Sequence, residues 1–222
     1  MEGSHSGLVH HLGKVAYLNG YQEFESPTLR RSNHCPQTLF RDRSFWPYNK
    51  AMFSDPVANL AKVGLIDGMK VVDIGAGSGF YSIEAAKRVG SSGRVYAVDV
   101  QKDLLERLRT VASNQGVRNI EVVWGNAEKI GGTKLRESIA DRVIASNVLF
   151  QIEKPDDFCL ELKRILKPGG KVLVIDWSEV SPMSPQNLVS AAKAQALFVK
   201  NGFKFEDSFN AGDHHYGLVF AR

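Results

Sequence analysis

Cysteine is almost missing from this chain. There are two in 222 residues, Cys35 and Cys159, far apart and outside any CxxC pair. A disulfide framework is not expected and a reducing compartment fits. His34 beside Cys35 is one metal-like pair with no second pair to complete four ligands, so no metal is expected. Long apolar runs are missing too: none approaches the roughly 18 residues of a membrane helix, so no membrane span is expected. The N-terminus lacks a basic start followed by an apolar stretch, which argues against a secretory leader and makes a cytoplasmic location the default expectation. A dominant charge is also lacking. Lys and Arg number 28 against 24 Asp and Glu, a net charge of +4. That permits a nucleic-acid or acidic partner without requiring one. Internal repeats and low-complexity tracts are not found.

What is present is ordinary globular composition, 43% apolar and 23% charged, enough for a sizeable core. Two regions are expected. Residues 1–54 read as an irregular N-terminal arm holding four of the six histidines (His5, His10, His11, His34). Its end, FRDRSFWPYNKAMF at 40–53, crowds Phe40, Phe45, Trp46, Tyr48 and Phe53 together with Arg41 and Arg43. Such a segment packs its rings on the main domain, closes as a lid over a ligand pocket, or does both. Trp46 and Tyr48 are therefore substrate candidates.

From 55 to 222 the chain alternates. A helix over 56–64 precedes strand KVVDI (70–74), helix 80–89, strand RVYAVDV (94–100), helix 102–115 and strand IEVVW (120–124). Strand DRVIASN (141–147), helix 156–167, strand KVLVIDW (171–177) and helix 185–201 follow. Spacing supports the helices: Leu104, Leu108, Val111 and Ala112 share one face, as do Phe158, Leu162, Ile165 and Leu166. Gly169 and Gly170 after Pro168 are expected to stop the preceding helix. Strands rich in Val and Ile, alternating with helices, predict an α/β fold with a buried, mainly parallel sheet and helices on both faces. The end departs from alternation. KFEDSF (204–209) and HYGLVFA (215–221), joined by NAGDH without a helix, predict an antiparallel hairpin.

The stretch VVDIGAGSGFYS (71–82) places Gly75, Gly77 and Gly79 directly after the first long strand. Glycine there permits positive φ angles and close approach of a ligand to the backbone, and open parallel sheets bind ligands at such strand ends. A dinucleotide fingerprint would need a third glycine at 80, where Phe stands. That disfavours a nicotinamide cofactor. Asp99 ends the second strand, 20 positions after Gly79, where a carboxylate can accept bonds from both ribose hydroxyls of an adenosine. Asp73 lies near the same place, bonded to the loop backbone or holding a cationic or amino group. Acidic groups with no Lys or Arg in the loop suit an adenosine carrying positive charge better than a phosphate.

VVDIGAGSG, VYAVDV, VVWGNAEKI, DRVIASNVLF and LKPGGKVLVID occur in that order over roughly residues 56–222. In this the chain resembles the class I S-adenosylmethionine-dependent methyltransferases, nearest the small-molecule ubiquinone/menaquinone-biosynthesis type. The resemblance implies a Rossmann-like, doubly wound, seven-stranded sheet and S-adenosylmethionine as cofactor. It implies that Asp73, Gly75, Ala76, Gly77, Ser78 and Gly79 face the methionine part. Asp99 would bind the ribose with Val100 beside the adenine, and Asn126 and Ala127 would meet the adenine edge. Ser146 and Asn147 would lie near the sulfonium and its methyl. Asn126 departs from the family's frequent Asp, though its carbonyl oxygen can still accept.

Methyl transfer from a sulfonium is an in-line displacement, and the protein mainly brings the reactants together, worth about 7–11 kcal/mol. A base is needed only when the acceptor arrives protonated. Asn147, His214 and His215 are the catalytic candidates, with the hairpin histidines read more readily as exposed loop residues. Asn147, Gln151 and Trp177 join the substrate candidates. NVLF stands where amino-group methyltransferases carry Asn-Pro-Pro-Tyr, so an amine acceptor is not inferred. A small-molecule acceptor is expected. RNA or protein methylation, the former allowed by Arg30, Arg31, Arg41 and Arg43, and a non-catalytic binding protein on the same fold are the alternatives. Acceptor identity and oligomeric state are not read from the sequence.

Overall fold

The computed structural model describes residues 54–178 and 184–222. The arm expected before Ser54, with Trp46, Tyr48 and the possible lid, lies outside the described residues. In chain order the elements are α1 (Pro56–Ala61), β1 (Lys70–Ile74), α2 (Phe80–Val89), β2 (Arg94–Asp99), α3 (Lys102–Asn114), β3 (Ile120–Trp124) and β4 (Ala140–Ser146). A 3₁₀ turn at Leu149–Gln151 leads to α4 (Pro155–Ile165), β5 (Leu166–Trp177), α5 (Ala191–Lys200), β6 (Lys204–Gly212) and β7 (His215–Ala221).

The seven strands form one sheet in the order β3-β2-β1-β4-β5-β7-β6. Pairings among β1 to β5 are parallel, while β7 runs antiparallel to both β5 and β6. The chain winds outward from β1 through β2 to β3, then returns to lay β4 on the other side of β1. The strand order thus reverses between β1 and β4, where open α/β sheets form their ligand crevice.

Side-chain alternation sends residues to two layers. Val71, Val95, Ile144, Leu173 and Val219 meet Leu60 of α1 and Tyr81, Ala85 and Val89 of α2, and α3 covers Ala97 with Leu108 and Ala112. On the opposite face Val72, Val143, Val172 and Val174 meet Phe158, Leu162 and Ile165 of α4 and Phe198 of α5. Phe198 stacks on Phe220 at 4.6 Å between centroids. Each fully buried ring of this kind stabilises by about 1.5–3 kcal/mol. Cys159 of α4 is wholly buried, and burial pushes its thiol up to about 12.

Local chemistry sets the helix ends. Asp55 caps α1 by accepting from the Val57 N–H, with Pro56 in the first turn. Asp156 and Asp157 open α4 and Lys163 and Arg164 close it, each matching the helix dipole.

Four expectations need correction. The buried stripe of α3 is Leu105, Leu108 and Ala112; Leu104 is only half-buried and Val111 is 37% exposed. Helix α4 stops at Ile165, not at the glycines: Leu166 is already extended, and it pairs with Ala140. The residue before Pro168 is biased away from helix, and Gly169, at φ +74°, serves the turn instead. Helix α5 starts at Ala191, not 185, because the Ser190 hydroxyl caps it through the Lys193 N–H. Finally, β6 runs on to Gly212 through two register shifts, leaving a shorter turn before His215.

Candidate functional site

The crevice begins at the tip of β1. Gly75, Gly77 and Gly79 all have positive φ, at 69°, 53° and 95°. Two of them are also needed for space. A Cβ on Gly75 would stand 2.2 Å from Val148 Cγ1, and one on Gly79 would stand 2.7 Å from Leu108 Cγ. The segment after β4 and helix α3 therefore both press against the loop. Gly79 allows the close helix approach that a dinucleotide fingerprint assigns to residue 80, and Phe80 is 58% exposed.

Asp99, at the tip of β2, is buried and holds the loop in place. Its Oδ2 accepts from the Gly77 N–H at 2.9 Å and its Oδ1 from the Gln101 N–H at 2.8 Å. A carboxylate has about four lone-pair sites, so two bonds leave room for a diol. Asp73 is 2% exposed and accepts from the Ser82 hydroxyl at 2.6 Å. Burial, with a smaller push from Asp99, raises it to about 7. The local partner of Asp73 is the Ser82 hydroxyl at the start of α2, not the loop backbone that the sequence suggests. The two carboxylates and the bare loop place negative potential and backbone N–H groups together, with no basic side chain from 71 to 82.

The adenine-side residues lie farther along the same edge. Val100 is 57% exposed, and its carbonyl accepts from Trp124 Nε1 at 3.0 Å. Asn126 Oδ1 already accepts from the Glu128 N–H at 2.8 Å, so the oxygen expected to face an adenine amino group closes a local turn. Ala127 is buried in the core.

The tips of β4, β5 and β7 form the other wall. Ser146 ends β4 beside Tyr81, whose hydroxyl meets Ser54 Oγ at 2.6 Å and the Asn59 amide at 3.0 Å. Asn147 follows in the left-handed region at φ +55°, which Asn tolerates. Its N–H donates to the Ile175 carbonyl at 2.8 Å, its carbonyl accepts from the exposed Gln151 amide at 3.2 Å, and its buried Oδ1 has no partner among the described residues. Asp176 is 1% exposed and accepts from the N–H groups of Leu149 and Trp177 at 2.9 and 2.8 Å. Burial raises it to about 6. It pins the turn after β4 to the end of β5. Trp177 is half-buried and lies against His215, ring centroids 4.4 Å apart.

His215 was expected in an exposed loop and is instead 3% exposed, because it sits opposite Trp177 in the β5–β7 register. His214 is half-buried, its carbonyl accepting from the Ser178 N–H at 2.8 Å.

The sequence reading missed Ser82, Tyr81 and Glu161. Glu161 is wholly buried and binds the loop before β4: it accepts from the Gly131 and Thr133 N–H groups, the Thr133 hydroxyl and Arg164. A signal existed, since Glu161 falls on the apolar face set by Phe158, Leu162 and Ile165. No cluster of three or more His, Cys, Asp or Glu is placed to hold a metal among the described residues, and no described helix is long and apolar enough to cross a membrane.

A methyltransferase-domain family model matches residues 65–212. The ubiquinone/menaquinone biosynthesis C-methyltransferase UbiE of Laribacter hongkongensis is 32% identical over 151 residues, 68% of this chain and 60% of that protein. The enzyme of the same name from Haemophilus ducreyi is 33% identical over 117 residues, covering 52% and 44%. The chain thus spans about half the length of these curated relatives. Among solved structures, a SAM dependent methyltransferase from Aquifex aeolicus gives a TM-score of 0.70 at 29% identity, over 76% of this chain and 89% of that one. The PH0226 protein of Pyrococcus horikoshii gives 0.62 at 21% identity, over 74% and 86%, a likeness of fold alone.

Proposed function

The chain belongs to the methyltransferase-domain family, and from that premise we propose that it transfers a methyl group from S-adenosylmethionine to a small-molecule acceptor. The observation that carries this reading is the left-handed glycine turn at the β1 tip, fastened by buried Asp99 beside the point where strand order reverses. The donor set fits the cofactor. Carboxylates and backbone N–H groups suit ribose hydroxyls and a cationic methionine part, and no lysine or arginine in the loop calls for phosphate.

In this proposal Asp73 and the loop from Gly75 to Gly79, with Ala76 and Ser78, line the methionine side. Asp99 takes the ribose, Val100, Asn126 and Ala127 border the adenine, and Ser146 and Asn147 face the methyl. When bound, the sulfonium supplies an already activated methyl carbon. The chain's own work is to fix that carbon opposite the acceptor and to keep water out.

UbiE relatives are named for C-methylation in quinone biosynthesis, which supports a small-molecule acceptor here without fixing the atom methylated. Calorimetry with S-adenosylmethionine and, separately, a nicotinamide dinucleotide tests the cofactor: binding of the first alone is expected, and binding of only the second overturns the reading. Incubation of purified protein with methyl-labelled donor and a metabolite extract then reports the acceptor. Label that enters only RNA or protein overturns the small-molecule assignment.

A further inference from the structure

Glu128 is bonded on two sides at once. Its N–H donates to Asn126 Oδ1 at 2.8 Å, closing the turn at the adenine edge. Its Oε2 accepts from the N–H groups of Glu153 and Lys154, at 2.8 and 2.9 Å. Those two groups open α4, whose free N–H groups need acceptors. Helices α1 and α5 are capped by their own Asp55 and Ser190, whereas Lys154 gives α4 no side-chain cap. Glu128 supplies that acceptor from another segment, and its charge suits the positive end of the helix dipole.

Asn126 is fixed as a result. Its backbone N–H donates to the Gly132 carbonyl at 2.9 Å, and its side-chain oxygen is spent on Glu128. An amide has one oxygen and an NH₂ with two donors. The NH₂ is the end left for a ligand, and it cannot turn over without breaking the Glu128 bond. Farther round the loop, Glu161 accepts from the Gly131 and Thr133 N–H groups at 2.7 and 3.2 Å. Segment 126–133 is thus tied to α4 at its start and again midway along it.

We infer that Glu128 is a positioning residue for the base of the cofactor: it locks the Asn126 amide in one orientation and so makes the site selective for a 6-aminopurine. The inference rests on the methyltransferase reading above and adds what sets its choice of base. Adenine offers a donor at its amino group and an acceptor at ring N1, and hypoxanthine offers the reverse. A locked amide fits one of these patterns and leaves polar groups unpaired against the other. An amide free to turn over fits either.

The test is calorimetry on the full chain with S-adenosylhomocysteine and S-inosylhomocysteine, which differ only in the base. The unaltered chain is expected to prefer the first by at least about ten-fold, the effect of one lost bond. Glu128→Ala is expected to narrow that preference to less than about three-fold. Both N–H groups of α4 share the single oxygen Oε2, so Glu128→Gln is expected to keep the preference. An alanine variant that weakens both ligands equally overturns the inference and leaves Glu128 a helix cap alone. A glutamine variant as permissive as alanine overturns it too. If Glu128→Ala does not fold, Glu128→Asp, one methylene short of α4, takes its place with the same expectation. Equal binding of both ligands by the unaltered chain overturns the inference and spares the methyltransferase reading. Failure to bind S-adenosylhomocysteine at all overturns that reading and this one with it.

Discussion

Gly75 is where backbone and packing demands coincide, and Gly75→Ala separates them. At φ +69° an L-residue costs roughly 1–2 kcal/mol more than glycine. The added methyl would also stand 2.2 Å from Val148 Cγ1, and such overpacking costs about 1–3 kcal/mol. The single variant should therefore lose about 2–5 kcal/mol. Val148 is 7% exposed, and Val148→Ala should cost about 2 kcal/mol for the methyls it removes. In the double variant the clash is gone while the left-handed strain remains. The two costs should then fall short of additivity by about 1–3 kcal/mol, as contacting residues do. Urea unfolding followed by circular dichroism, extrapolated linearly to water, supplies the four stabilities. Costs that add to within about 0.5 kcal/mol would refute the claim that the segment after β4 presses on the loop.

Asp99→Asn puts an amide N–H₂ where one of two backbone N–H groups needs an acceptor. Losing one charge-assisted bond of about 1.5–3 kcal/mol should weaken S-adenosylmethionine about 10- to 150-fold by calorimetry. Asp73 is raised from 3.8 to about 7, so the folded state holds its proton more tightly than the unfolded. Its contribution to stability is full below about pH 4 and is lost as pH rises through about 7. Asp73→Asn should thus show a shallower fall in unfolding free energy across that window, and an unchanged slope would reject the assignment. His215, lowered to about 4, acts with opposite sign, favouring unfolding as pH falls below about 6.5. Glu161→Ala strands Arg164 and the N–H groups of Gly131 and Thr133, and should cost about 3–5 kcal/mol in urea unfolding.

The mainly parallel strands, the terminal antiparallel hairpin, both helix layers and the glycine turn were legible because each rests on local pattern, whereas the order of strands in the sheet was not read from the sequence. Apolar runs mark β1, β4 and β5, and period-3.6 spacing marks α4. Details decided by distant partners were not. Leu104 and Leu105 are both apolar neighbours on α3, and only the shape of the sheet selects Leu105 for burial. The end of β6 contains register shifts, which spoil alternation, so Asn210 to Gly212 read as loop. His215 looked exposed because its burial depends on pairing with Trp177, 38 positions earlier. Asn126 was read for a ligand, but its oxygen is taken by its own turn, a competition that Asn carries into any loop.

Cys159 gives the molecule its own opening gauge. Alkylating reagents attack thiolates, and a wholly enclosed thiol pushed up to about 12 offers none while α4 stays seated. With Cys35 replaced by serine, modification would proceed only through excursions that lift that helix from its bed. Its rate would follow the free energy of those excursions. A molecule captured at the far rim of the sheet would then announce itself by slowing chemistry at a sulfur it never touches.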